Sequence, residues 1–147
     1  MSRATAERTS VERGAFLALL KVAGELEREV VELLKARDLS VTQYNVLRIL
    51  RGASESGATC GEVGSQLIRH DPDVTRLLDR LERNGLIARA RDERDRRVVR
   101  TRITAAGLAL LAELDGPVDE LHHRQLGHMS GDSLSSLQEL LVNVRRR

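Results

Sequence analysis

The feature that most constrains this chain is a change of hydrophobic period. Over most of its length aliphatic residues recur at alternating spacings of three and four, which places them on one side of an α-helix, but between residues 86 and 103 the period drops towards two, the repeat of a strand. A chain patterned this way is mainly α with one small β-hairpin. The aromatic shortage fits: with one Phe, one Tyr and no Trp, the core must be assembled from Leu, Val, Ile and Ala. A length of 147 residues suits a single domain with one buried core.

The first ten residues are polar and read as frayed. Beyond them Phe16, Leu19, Ala23, Leu26, Val30 and Leu33 predict a long amphipathic helix, and Leu17, Leu20, Val31 and Leu34 widen its stripe beyond what one neighbour covers. Asp38-Leu39-Ser40 interrupts the pattern, and Ser40 or Thr42 caps a second helix carrying Tyr44, Val46, Leu47, Ile49 and Leu50 as far as Gly52. A Gly/Ser/Ala loop over 52–59 leads to a short third helix from Cys60 to Ile68, with Val63, Leu67 and Ile68 on its apolar face. Asp71 and Pro72 then read as the N-cap and first residue of a fourth helix over 72–84, buried through Val74, Leu77, Leu78 and Leu81 and stopped by Asn84-Gly85. Strands over 86–91 and 98–103 flank a charged turn. Thr104 caps a helix through Leu111, Leu114, Val118 and Leu121, expected to kink at Gly116-Pro117, and a last helix follows through Leu134, Leu137, Leu141 and Val144. Three consecutive short helices and a hairpin, flanked by longer helices, spell a winged helix-turn-helix.

Charge is distributed unevenly over these elements. The net charge is only +2, yet seven arginines stand against three acids between Arg89 and Arg102, so the rest of the chain is slightly acidic. A local arginine cluster of this kind suits phosphate binding better than general solubility. The outward face of the fourth helix carries Thr75, Arg76, Asp79, Arg80 and Arg83, a set able to bond both phosphates and base edges in a major groove, with Asp79 suited either to accept from cytosine or to orient an arginine. Arg94, Arg96 and Arg97 at the hairpin tip suit the narrow, strongly negative minor groove, and Asp95 suits a bidentate pair with a neighbouring arginine. Either set alone would also serve as a solvated charged surface; the two side by side favour nucleic acid.

The run Val74-Thr75-Arg76-Leu77-Leu78-Asp79-Arg80-Leu81-Glu82, followed by Gly85-Leu86-Ile87, by Asp92 to Arg97 (DERDRR) and by Ile103-Thr104-Ala105-Ala106-Gly107, resembles the recognition helix, wing and following helix of the multiple antibiotic resistance regulator (MarR) family. The resemblance implies a single domain over 1–147, with dimerisation helices at 11–37 and 104–147 and a winged helix-turn-helix at 38–103. It implies a homodimeric transcriptional regulator on a pseudo-palindromic double-stranded operator, with recognition helix 72–84 in the major groove and wing 89–102 in the minor groove. Arg96 and Arg97 match the family's wing positions, Asp95 matches the acid that braces them, and the implied mechanism is repression relieved by a small-molecule effector.

Other chemistry finds less support. His122, His123 and His128 lie near Asp119 and Glu120 and could ligate zinc or another transition metal in a metal-sensing variant of the regulator, but adjacent histidines on a helix point in different directions, so solvated or interface histidines are the expectation and no metal is assigned. Cys60, the only cysteine, excludes an internal disulfide, and its place at the start of a helix makes a redox-sensing variant conceivable beside a passive thiol. Phe16 and Tyr44 read as core residues. No nucleophile elbow, phosphate loop or paired metal-ligand motif occurs, so neither an enzyme nor a cofactor is expected. The absence of an 18-residue apolar run or a signal-peptide h-region predicts a cytoplasmic protein with no membrane partner. A winged-helix protein-interaction module without operator binding is the alternative from another functional class.

Overall fold

A computed structural model describes residues 3–145. The elements run α1 (Arg3–Lys35), α2 (Val41–Arg51), α3 (Cys60–Gln66), α4 (Val74–Arg83), β1 (Ile87–Arg91), β2 (Val99–Ile103), α5 (Ala105–Leu126) and α6 (Gly131–Arg145). The described residues thus form six helices and one antiparallel hairpin, the winged helix-turn-helix with flanking helices expected from the periodicity. Met1, Ser2 and the last two residues of the 104–147 segment lie outside the described residues.

Local signals set most of the boundaries. α1 closes with Asp38 in the left-handed region at φ 54° and the Leu39 N–H bonded to the Leu34 carbonyl at 3.3 Å. Ser40 opens α2 with a capping box, its hydroxyl accepting from the Gln43 N–H while the Gln43 side chain accepts from the Ser40 N–H. Thr59 and Glu62 repeat the device at α3. α4 ends in a Schellman motif: Gly85 takes φ 74°, its N–H reaches the Glu82 carbonyl, and the Leu86 N–H reaches the Leu81 carbonyl.

Several boundary and burial expectations differ from the structure. Helix α1 already begins at Arg3, because the polar segment before residue 11 holds no breaker and lets the helix extend outward. Helix α3 stops at Gln66, which leaves Ile68 86% exposed rather than on an apolar face. Helix α4 is capped by Asp73, whose carboxylate accepts from the Arg76 N–H; Asp71 instead accepts from the Asp73 N–H, a local turn that keeps Pro72 outside the helix. Phe16 is 62% exposed in the single chain instead of buried. Helix α5 continues through Pro117.

Two compact units divide the described chain. The first, Leu33–Val118, holds α2, α3, α4, the hairpin and the first part of α5. Its core is aliphatic, with Leu34, Val46, Leu47, Val63, Leu81 and Leu111 fully buried and Tyr44 as its aromatic member. In it α2 packs on α3 and β2, α3 on α4, and α4 on β1. The hairpin pairs Ile87 with Ile103 and Arg89 with Thr101, so alternate residues Ile87, Arg89, Thr101 and Ile103 share its inner face. A third edge comes from the loop before α3, where Ala58 exchanges both backbone hydrogen bonds with Thr101 at 2.8 and 2.9 Å. Gly107 lets α5 approach the hairpin base: a methyl there would lie 2.3 Å from the Leu86 carbonyl oxygen and 2.6 Å from Ile103 Cγ1.

The second unit joins the segments on either side, with most of α1, the end of α5 and all of α6. Within it the Gln125 side chain donates to the Leu26 carbonyl at 3.0 Å, and Leu121 is buried. It leaves Phe16, Leu17, Leu20, Leu140, Leu141 and Val144 exposed, and no residue of α6 is buried.

Candidate nucleic-acid interface

Helix α4 turns Leu78 and Leu81 inward, and the 3.6-residue repeat therefore presents Thr75, Arg76, Arg80 and Arg83 to solvent. Asp79 is only half-exposed. Among the described residues Arg76, Arg80 and Arg83 have no side-chain partner, so three guanidiniums project from one helix without a compensating acid. Cys60 Sγ lies 3.7 Å from Thr75 Oγ1, beside a cavity of about 280 Å³ that Gly64, His70, Asp71 and Thr75 also line.

The seven arginines of the hairpin segment separate into two groups. Arg89, Arg91, Arg100 and Arg102 are structural. Arg89 bonds Asp79 and Glu82 of α4; Arg91 donates to the Arg96 carbonyl at 2.7 Å; Arg100 pairs with Asp92 at 2.7 Å; and Arg102 donates to the Glu55 carbonyl at 2.5 Å. The second group lies in the tip. Arg94 and Arg96 have no side-chain partner among the described residues, and Arg97, 92% exposed, is held in a bidentate pair by Asp95 at 3.1 and 3.2 Å.

Asp92 organises that tip and was not singled out from the sequence. Its carboxylate accepts from the backbone N–H groups of Arg94 and Asp95 and from Arg100 Nε, while its own N–H closes the turn on the Val98 carbonyl. These donors favour the charged form: Arg100 first, then the Arg94 N–H, hold the Asp92 carboxyl down at about 2. Arg97 similarly lowers Asp95, and Arg89 lowers Glu82. The available signal was position, since an Asp opening a loop readily accepts from N–H groups two and three residues on.

Of the acids on α4 and the hairpin, all but the exposed Glu93 are paired with arginine. Asp79, Glu82, Asp92 and Asp95 each bond an arginine of the hairpin, which leaves Arg76, Arg80, Arg83, Arg94 and Arg96 as free cations on α4 and the wing tip. The histidines do not assemble a second site: His122 Nδ1 lies 3.2 Å from Gln125 Oε1, and among the described residues no group of three or more His, Cys, Asp or Glu is placed to hold a metal. No helix among them is long and apolar enough to cross a membrane.

The profile described as MarR family matches residues 39–99, from the end of the α1–α2 turn into β2. The crystal structure of a MarR transcription factor from Planctomyces limnophilus is 39% identical, covering 88% of this chain and 93% of that one, with a TM-score of 0.69. The chain belongs to the MarR family. Among curated relatives, the HTH-type transcriptional regulator TtmR of Methylorubrum extorquens (strain PA1) is 34% identical over 135 residues, which cover 92% of this chain. The chain spans 66% of the length of TtmR, just under two thirds. A mutant E. coli MarR solved in complex with operator DNA is 26% identical, has a TM-score of 0.79, and covers 93% of this MarR-family chain and 96% of its own.

Proposed function

We propose that this MarR-family protein is a sequence-specific, DNA-binding transcriptional regulator, and that α4 enters the major groove while the wing tip enters the adjacent minor groove. The observation that carries the reading is the separation of the arginines. Arg89, Arg91, Arg100 and Arg102 are matched to acids or carbonyls, and Arg76, Arg80, Arg83, Arg94 and Arg96, left without a side-chain partner among the described residues, lie on the helix and tip that such a fold offers to DNA. Thr75, Arg76, Arg80 and Arg83 then serve base edges and phosphates, and Arg94, Arg96 and Arg97 serve the minor groove and its phosphates, with Asp95 holding Arg97 in place.

The unit of binding is a homodimer. An α-helical unit that exposes Phe16, Leu17 and Leu20 on α1 and Leu140, Leu141 and Val144 on α6 has an apolar surface suited to a second copy, and two-fold symmetry suits a pseudo-palindromic operator. Repression by occluding a promoter, relieved by a small-molecule effector, is the form of regulation proposed, acting in the cytoplasm and without enzymatic chemistry. The test is binding to the upstream intergenic DNA of its own gene against scrambled DNA of equal length, across a salt series. Selective binding at near-physiological salt is expected; equal, weak binding to both DNAs would remove the own-promoter form of the proposal.

One contact favours a second, redox-gated form of the same regulator. Bulk added to Cys60 Sγ, 3.7 Å from Thr75 Oγ1, would press on a candidate base-reading residue. Peroxide should then weaken DNA binding reversibly in the wild type and leave Cys60→Ser unaffected; an equal loss in both would exclude the thiol.

A further inference from the structure

Arg89 belongs to the wing by sequence, but its polar contacts point the other way. Its backbone N–H donates to Glu82 Oε2 at 2.9 Å, its Nε and Nη2 donate to Glu82 Oε1 at 3.3 and 3.0 Å, and Nη2 also donates to Asp79 Oδ1 at 2.5 Å. Both acids are on α4, three residues apart and so on neighbouring turns of one face. Strand β1 is therefore tied to the candidate recognition helix by main chain and side chain together.

We propose that Arg89 is a positioning residue that sets the wing's angle to α4, so that major-groove and minor-groove contacts fall in register on the same DNA. The proposal deepens the DNA-reading function above and rests on it. The hairpin acts as a lever on the turn at Gly85. From the Gly85 turn to Arg91 is six residues, roughly 20 Å at about 3.3 Å per residue. A tilt of about 15° at the turn would displace the far end by about 5 Å, close to the whole width of a minor groove, about 6 Å. A tip carrying Arg94, Arg96 and Arg97 tolerates no such swing if it is to enter that groove.

The other strand is anchored differently. Thr101 of β2 is bonded to Ala58, so the hairpin stays attached to the body without Arg89, and α4 keeps its buried Leu78 and Leu81. Loss of Arg89 should therefore loosen an angle without unfolding the unit. It also uncovers two carboxylates on the helix that meets DNA, and Arg89→Lys separates the two effects: an ammonium restores the charge but has no planar fork to bridge both acids.

The experiment uses a duplex that the wild-type protein selects from a randomised pool, probed by hydroxyl radicals for minor-groove protection and by guanine N7 methylation for the major groove. Wild type should protect both grooves. Arg89→Ala should keep N7 protection and lose the minor-groove protection, with affinity falling on the order of tenfold and circular dichroism unchanged, the loss expected if the wing arginines no longer release counterions. Arg89→Lys should leave the minor-groove protection weak. If Arg89→Ala does not fold, Asp79→Asn, which leaves the Glu82 contacts intact, should show the same selective loss to a smaller degree. Parallel loss in both grooves, full protection in Arg89→Ala, or full recovery by Arg89→Lys would overturn the positioning role. A wild-type protein that protects neither groove would instead overturn the DNA-reading function itself.

Discussion

Replacing Arg96 with alanine isolates the electrostatic part of the wing's action, because this guanidinium has no acidic partner among the described residues and its removal uncovers no carboxylate. The Arg96 carbonyl, which accepts from Arg91, is retained, so the loop keeps its internal bond. On a dimer the substitution removes one cation per protomer. With a slope of about 0.9 per phosphate neutralised, the dependence of log affinity on log salt should flatten by about 1.8. A fourfold rise in salt is about 0.6 log units, so the advantage of wild type over Arg96→Ala should shrink by about tenfold between 50 and 200 mM salt. Fluorescence anisotropy on a preferred and a scrambled duplex measures this directly, and the flattening should be the same on both. A salt slope equal to that of wild type would refute the claim that Arg96 meets the DNA backbone; a change confined to the preferred duplex would instead make it a base reader.

Further outcomes follow from the same geometry. Arg80→Ala should cost about 1 to 3 kcal/mol on the preferred duplex and much less on the scrambled one, as expected for a lost base contact; an equal loss on both would return Arg80 to phosphate binding. Gly107→Ala forces a methyl to within 2.3 Å of the Leu86 carbonyl oxygen and should destabilise the fold by about 1 to 3 kcal/mol, read from the denaturant midpoint. An unchanged midpoint would show that the base of the hairpin yields. Asp92, held down at about 2, binds fewer protons folded than unfolded across the acid range, so its stabilising effect is present above the usual carboxylate pKa and lost as pH falls towards 2. The gap in melting temperature between wild type and Asp92→Asn should accordingly close between pH 5 and pH 2; a gap independent of pH would contradict that.

Much of the fold was legible because local chemistry and burial agree. Ser40 with Gln43, Thr104 with Gly107, and Asn84-Gly85 are boundary signals read by the backbone itself, and Leu78 with Leu81 fix the face that α4 buries. Where two local solutions compete, the sequence misleads. Asp71 and Asp73 are both able to cap, and the turn in which Asp71 takes the Asp73 N–H decides for the later one. The β-like pairing of Ala58 with Thr101 depends on contact across 43 positions, which no local pattern encodes. In the site, the exposed arginines announce themselves by composition, whereas Arg89 does not. Its inward place opposite Thr101 follows from alternation after Ile87, and an inward-facing guanidinium implies a carboxylate partner, but choosing Glu82 and Asp79 needed the packing of α4 on β1.

On the proposed function, two copies of the α4-and-wing surface read one duplex. Selection from a randomised pool by the full chain, followed by light scattering of the complex, tests it most directly. An enriched inverted repeat with half-site centres about 10 base pairs apart, or a small multiple, bound by two chains, is expected. Absence of any enriched sequence, or a single asymmetric site occupied by one chain, would contradict it.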